Sequence, residues 1–337
     1  MAKLNVALVG AGFMGQFHAK TIAESDVATL AAVVDISEAA GGKMAADYGA
    51  RYLRTAGDAP SGIDAYVVAL PDTLHEETVS LLLGAGKAVL VEKPMAHTLA
   101  AAKAMAAAEE KGGGRLLVGH ILRFDPRYVE AAAAVKAGRI GEPIHASSGR
   151  FTVRDIGTRM NGGSSVCFYL GVHDVDALQW ISGSDVTSVY SRAVAKLMPS
   201  IGVQSEDAIF TTCELTNGMR GQLYFGWSLP SNIPTEIWAR TEIIGSEGII
   251  DLDVRDHGLR VLSRGAWSLP DGLHWPSVNG RITGDLNEEI RHFVTAVRDE
   301  KPFIMPVADA LRAVAVNDAI LRSVKSGQPE AVADWRG

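Results

Sequence analysis

Val6-Ala7-Leu8-Val9 runs directly into Gly10-Ala11-Gly12-Phe13-Met14-Gly15, and an alanine-bearing stretch continues to Ala23. A strand-length apolar run, a GxGxxG turn and a helical pattern in immediate succession fit few folds. The combination predicts the opening βα unit of a dinucleotide-binding sheet. Gly10 permits the tight turn. Gly12 leaves room for a pyrophosphate to approach the backbone, and Gly15 lets the helix pack closely on the strand. Unpaired N–H groups at the helix start then face the phosphates. Phe13 and Met14 lie inside this turn and count with the glycines as cofactor-binding. A glycine-rich turn without a ligand is the plainer alternative, and the flanking strand and helix argue against it.

The pattern repeats. Thr29–Val34 is a second β-rich run, and Ala65–Leu70, Ala88–Val91 and Leu116–Val118 continue the series between helix-like stretches. Strands alternating with helices predict βαβ units and a parallel sheet. From about Arg123 the character changes. Helices are expected over Pro126–Ala137 and Ser165–Ile181. Strands are expected over Val186–Ala195, Asp207–Leu215, Arg220–Trp227, Glu236–Ile244 and Gly248–Leu252, joined by turns such as Thr216-Asn217-Gly218. Two helices, Leu286–Arg298 and Val307–Ser326, close the chain. The fold class is therefore an α/β Rossmann domain followed by an α+β domain with an open, mostly antiparallel sheet. The expected boundaries are 1–122 and 123–337, with last helices able to pack back on the first domain. The 337 residues suit two domains.

Lysine and arginine total 32 against 39 acidic residues, a net charge of −7. That balance, and the lack of any basic aromatic stripe, argues against nucleic-acid binding. No uncharged apolar run approaches the ~18–20 residues of a membrane span, and the N-terminus lacks a secretory pattern. A cytoplasmic protein is expected. Cys167 and Cys213 form no CxxC pair and are expected to be buried thiols. No metal is expected, since His173, Asp174 and Asp176 point apart on a helix and no HExxH occurs.

Chemistry-bearing residues gather where the predicted strands end. Asp35 ends the second strand, 20 residues after Gly15. A carboxylate there accepts hydrogen bonds from ribose hydroxyls and repels a 2′-phosphate, which favours NAD over NADP. Pro71 to His75 follow the next strand and are expected beside the cofactor. His75 either touches the ribose or caps the following helix. Glu92-Lys93-Pro94 ends the Ala88–Val91 strand at the same edge. A lysine ammonium there can hydrogen-bond a substrate oxygen and stabilise developing alkoxide charge. His120 follows the Leu116–Val118 strand and is a further expected substrate contact.

These pieces resemble the Gfo/Idh/MocA oxidoreductases. The resemblance rests on Gly10 to Gly15, the Pro71 to His75 loop, Glu92-Lys93-Pro94, and Gly162-Gly163 followed by Gly171-Val172-His173-Asp174-Val175-Asp176. It implies a Rossmann domain and a C-terminal α/β domain with an open sheet. It also implies NAD(P)-dependent hydride transfer between nicotinamide and a secondary alcohol or ketone of a sugar, an inositol-like polyol or a sugar derivative. Lys93 falls on the family's catalytic lysine and His173 on its usual acid–base histidine. Glu92 accompanies Lys93 at the cofactor, and Asp176 matches a family aspartate that can bond substrate or brace the helix. Arg150, Arg154 and Arg159 precede the His173 helix, and Arg154 is taken as the one that reads a substrate group. A homodimer or homotetramer through the C-terminal sheet is implied.

One position departs. Many members carry aspartate four residues before the histidine, where this chain has Tyr169. On a helix that spacing shares a face, so Tyr169 is expected beside His173 as a third catalytic group. The missing carboxylate should leave the histidine less basic. Two other readings use the same fold: an enzyme that recycles NAD while cleaving a glycosidic bond by oxidation and elimination, and a non-catalytic sugar or nucleotide sensor.

Overall fold

Val6, Ala7 and Leu8 are completely shielded from solvent and form the middle of β1 (Leu4–Val9). The structure, a computed structural model, describes residues 3–336. β1 belongs to a sheet with β2 (Ala28–Val34), β3 (Arg51–Leu53), β4 (Ala65–Val68), β5 (Ala88–Glu92) and β6 (Arg115–Gly119). All neighbours pair in parallel, in the order β3-β2-β1-β4-β5-β6. Strands covered on both faces read as continuous apolar runs, which is why β1, β4 and β5 were legible. Helices α1 (Phe13–Ala23), α2 (Lys43–Tyr48), α3 (His75–Gly84) and α4 (Leu99–Gly112) connect them. α4 starts at Thr98, whose Oγ1 accepts from Ala101 N at 3.1 Å, and stops at Gly113 with φ +68°. Both ends use the expected cap chemistry. The strand order reverses between β1 and β4, so a crevice forms beyond the carboxyl ends of these strands.

The second region opens with α5 (Pro126–Lys136), capped by Asp125, whose Oδ1 accepts from Arg127 N at 2.8 Å. Then follow β7 (Pro143–Val153), α6 (Arg154–Met160), a wide π-type turn over Cys167–Gly171, α7 (Val172–Ser182), β8 (Val186–Val194), α8 (Leu197–Ser200), β9 (Ala208–Leu215), β10 (Arg220–Leu229), β11 (Ile237–Gly245), β12 (Ile249–Asp253) and the small hairpin β13 (Val261–Ser263) and β14 (Ala266–Ser268). The expected helix over Ser165–Ile181 is thus a wide turn running into α7. Another small hairpin, β15 (Ser277–Val278) and β16 (Arg281–Ile282), precedes α9 (Asp285–Arg298), α10 (Val307–Ser326) and β17 (Glu330–Ala331).

The chain divides into two units. One holds the residues to Phe124 together with Leu273–Leu311, so α9 belongs with the parallel sheet. The other holds Asp125–Gly272 and Arg312 onward. Its sheet has the order β12-β11-β7-β10-β9-β8-β17. Every pair is antiparallel except β7 with β10. One face of this sheet is buried. The other exposes aromatic residues, among them Phe210, stacked on Tyr224 at 6.3 Å, and Trp238. Cys167 and Cys213 are buried, unpaired thiols, and burial pushes both up, Cys213 to about 12. Among the described residues no helix is long and apolar enough to cross a membrane.

Candidate cofactor and catalytic site

The turn between β1 and α1 is built as its glycines require. Gly10 has φ +103°, and a Cβ on it would lie 2.5 Å from Ala69 O. Side chains other than glycine rarely adopt that φ. A Cβ on Gly15 would lie 2.1 Å from Gly10 O, so α1 is pressed onto the turn itself. Gly12 differs: a Cβ there meets nothing within 4 Å, and no acidic residue occupies the first turn of α1. The turn therefore keeps open space over Gly12 and uncrowded N–H donors, which fits a dinucleotide pyrophosphate. Gly15→Ala should destabilise the chain by ~1–3 kcal/mol, the range for overpacking, and weaken NAD binding at least about tenfold. Urea unfolding and NAD titration of the variant check both.

Asp35 sits where β2 ends, and its carboxylate reaches back to the turn. Oδ2 accepts from Ala11 N at 2.7 Å and Oδ1 from Ser37 N at 2.8 Å. Each oxygen retains a further lone pair for a ribose hydroxyl. Phe13 is half exposed, with its ring 5.3 Å from that of Phe17, and Met14 is half-buried. Pro71 is exposed and opens the short turn Asp72–Leu74.

His75 departs from both sequence readings. It is buried, with Nε2 2.9 Å from Leu70 O and Nδ1 3.1 and 3.2 Å from Pro94 O and Met95 O. Both nitrogens thus engage backbone carbonyls, and the ring ties the segment after β4 to the one after β5.

Glu92 departs as well. Its carboxylate is buried, with Oε1 2.7 Å from His18 Nε2 and Oε2 accepting from Lys93 N at 3.2 Å. Burial works to raise this carboxyl. The His18 hydrogen bond and the charges of His18, Lys93 and His75 outweigh it and hold the group below its usual range. Glu92 is therefore an ionised internal anchor rather than a ligand contact, and His18 is a partner that the sequence reading missed. Lys93 is half-buried at the carboxyl edge of β5, and the Lys93–Pro94 peptide is cis. His120 follows β6 as expected but is only 2% exposed. Nearby Arg123, also buried, pairs with Asp309 at 2.9 Å.

In the second unit the wide turn and α7 carry the other expected residues. His173 and Tyr169 are half-buried, and Asp176 is buried at 1% exposure. Wide turns of this type often mark functional sites. Tyr169 OH accepts from Arg159 Nη2 at 3.1 Å, and its ring lies 6.0 Å from that of Trp227. A phenol beside a guanidinium thus stands four residues before His173. Arg154 begins α6 and is half-buried.

Arg150 is not available to a substrate. Its Nε donates to Asp174 Oδ2 at 2.8 Å and its Nη2 to Tyr128 OH at 3.1 Å, all three residues being buried. Ser148 Oγ donates to Asp174 Oδ1 at 3.0 Å. Burial alone would lower the Arg150 guanidinium, but the Asp174 charge raises it further above its ordinary range. This buried pair fastens α7 to β7.

Comparison with known proteins agrees with this geometry. Residues 4–120 match the model for an oxidoreductase family with an NAD-binding Rossmann fold, and residues 128–251 match the GFO/IDH/MocA C-terminal domain. The rhizopine catabolism protein MocA of Rhizobium meliloti is 27% identical over 95% of this chain and 94% of its own. Inositol 2-dehydrogenase 1 of Saccharopolyspora erythraea is 29% identical over 98% and 96%. The crystal structure of GenD2 from gentamicin A biosynthesis, in complex with NAD, superposes with a TM-score of 0.87 at 25% identity, covering 99% and 97% of the two chains. The matched models span most of the chain, and both halves carry the fold they describe: this chain belongs to the Gfo/Idh/MocA oxidoreductases, with an NAD-binding Rossmann domain.

Proposed function

We propose that this chain is an NAD-dependent dehydrogenase that oxidises a secondary alcohol of an inositol-like polyol or a sugar, or reduces the corresponding ketone. One observation carries the reading. β1 and β5 run parallel in one sheet, so the open Gly10–Gly15 turn and Glu92-Lys93 end at the same edge. A lysine ammonium stands on the edge where such a turn binds its dinucleotide. The relatedness to an inositol 2-dehydrogenase and to a rhizopine catabolism protein supports the substrate class.

NAD, when bound, supplies the hydride acceptor. Gly10, Gly12 and Gly15 admit its pyrophosphate, with Phe13 and Met14 in the same turn. Asp35 takes the adenosine ribose hydroxyls, which favours NAD over NADP. Lys93 hydrogen-bonds the reacting oxygen and stabilises its negative charge. His173 accepts the hydroxyl proton in oxidation and returns it in reduction. Tyr169, its phenol oxygen already accepting from Arg159, orients the imidazole or bonds a second hydroxyl. Arg154 and Asp176 remain proposed substrate contacts.

The open face of the second sheet supports self-association. Phe151 and Tyr224 lie 5.9 Å apart, Phe210 stacks on Tyr224, and Trp238 pairs in register with Phe151. An exposed aromatic patch of this kind marks an interaction surface, and a homodimer or homotetramer through this face is the proposed assembly. A panel of inositols and sugars with NAD, read at the reduced-nicotinamide absorbance, tests the activity. Appearance of NADH with one substrate class is expected. Product without NADH would favour the recycling lyase.

A further inference from the structure

Helix α9 presents a buried stripe of Leu286, Glu289, Ile290, Phe293 and Val294. Glu289 is the anomaly on it. It is 1% exposed, and its Oε1 has no hydrogen-bond partner among the described residues. A Cβ on Gly119 would lie 3.6 Å from Glu289 Oε1 and 3.6 Å from Glu92 Cα. The orphan oxygen therefore lies against the carboxyl ends of β5 and β6, next to Glu92.

The groups around it are mostly of the wrong sign. Glu92 at the end of β5 is already ionised against His18 of α1 and adjoins Lys93. Asp285, one turn earlier on α9, lies 2.9 Å from His274 Nδ1. Arg123, on the turn packed against α9, pairs with Asp309. A buried carboxylate with an unsatisfied oxygen and a carboxylate neighbour is strongly disfavoured as an anion. Burial, then the charges of Glu92 and Asp285, push the Glu289 carboxyl well above the ordinary range.

We propose that Glu289 is a positioning residue of the Glu92–Lys93 corner, a neutral, proton-bearing acid that leaves Glu92 as the single buried anion facing His18 and Lys93. Ionised, Glu289 would add a second anion at that strand end and draw the Lys93 ammonium away from a reacting oxygen. The catalytic consequence rests on the proposed role of Lys93. The protonation itself does not.

The test compares the full chain with Glu289→Gln, which keeps shape and neutrality. Because the folded chain holds this proton above the ordinary carboxylate range, unfolding releases it. The contribution of Glu289 to wild-type stability is thus greatest below the ordinary carboxylate range and is lost as pH rises from that range towards the folded value. Across that window the wild-type unfolding constant in urea should rise about tenfold per pH unit relative to the variant. Parallel curves would overturn the proposal. An infrared band of a protonated carboxyl at pH 7, present in the wild type and absent in Glu289→Gln, is the second readout. Its absence from the wild type overturns the proposal even if the variant fails to fold. In turnover, wild-type kcat should fall relative to the variant on the alkaline side while NAD Kd does not, and a constant kcat ratio contradicts the positioning role. A wild type that turns over no polyol counts against the dehydrogenase reading, while the unfolding slopes still decide for or against the neutral Glu289.

Discussion

Replacing Lys93 by Met should lower kcat about 10²–10³-fold, ~2.7–4 kcal/mol of transition-state stabilisation, the range for losing one preorganised donor. NAD Kd should change by less than about threefold. Met keeps most of the aliphatic stem, so the substitution removes the charge with little change in packing. In the proposed function the cofactor is held chiefly by the Gly10–Gly15 turn and Asp35, which this change leaves alone. Glu92 cannot stand in for the missing ammonium, because its carboxylate is an anion already bonded to His18 and to Lys93 N. Lys93→Arg should recover little, since a planar guanidinium does not reproduce a point charge on a flexible stem. Single-turnover hydride transfer and NAD titration separate the two quantities. Equal losses in both would assign Lys93 to cofactor binding instead.

Asp174→Ala should destabilise the chain by ~3–5 kcal/mol, the range for breaking a buried ion pair. Asp174 is 1% exposed and Arg150 3% exposed, so bulk solvent does not screen the charge left behind. The Arg150 guanidinium would keep only Tyr128 OH, and Ser148 Oγ would lose its carboxylate acceptor, though Thr241 Oγ1 stays at 2.7 Å. The loss falls on the join between α7 and β7, one residue from His173. Activity should therefore fall with stability even though Asp174 touches no substrate. Urea unfolding measures the effect. A double change to apolar residues, Arg150→Met with Asp174→Leu, should recover much of it, because no uncompensated charge is left. A loss below ~1 kcal/mol in the single variant would show that the pair is not what holds α7.

The parts that could be read from the sequence are those whose signal is local. Gly10 and Gly15 are required by the backbone a few residues away, and β1, β4 and β5 are apolar because both faces are covered. The strand β7 gave no such signal. It lies inside the second sheet, yet Pro143–Val153 contains Ser148, Gly149, Arg150 and Thr152. Three of these are buried polar residues satisfied by Asp174, Tyr128, Thr241 and Glu236. Gly149 is small because the Tyr224 ring would lie 1.9 Å from a Cβ there. Hydropathy cannot find a strand whose side chains are chosen by partners 22 to 93 residues away.

The site residues divide in the same way. Strand-end position drew attention to Asp35, Lys93, His75 and Glu92 alike, but position does not reveal which way a side chain turns. His75 and Glu92 turn inward to carbonyls and to His18, and Arg150 turns to Asp174. Apart from Leu70 O, these partners lie 19 to 74 residues away. Glu289 did leave a trace. It falls on the i, i+3, i+4, i+7 stripe of Leu286, Ile290 and Phe293, where a charged residue is out of place. Beside Glu288 in the first turn of α9 it passes for an ordinary N-terminal acid.

The most direct measurement is the stoichiometry of NADH to oxidised product, with the purified chain, NAD and an inositol substrate. Net hydride transfer from the alcohol to the nicotinamide predicts one NADH for each ketone formed, through many turnovers. Product accumulating with no net NADH would contradict the dehydrogenase function and leave a cofactor-recycling cleavage in its place.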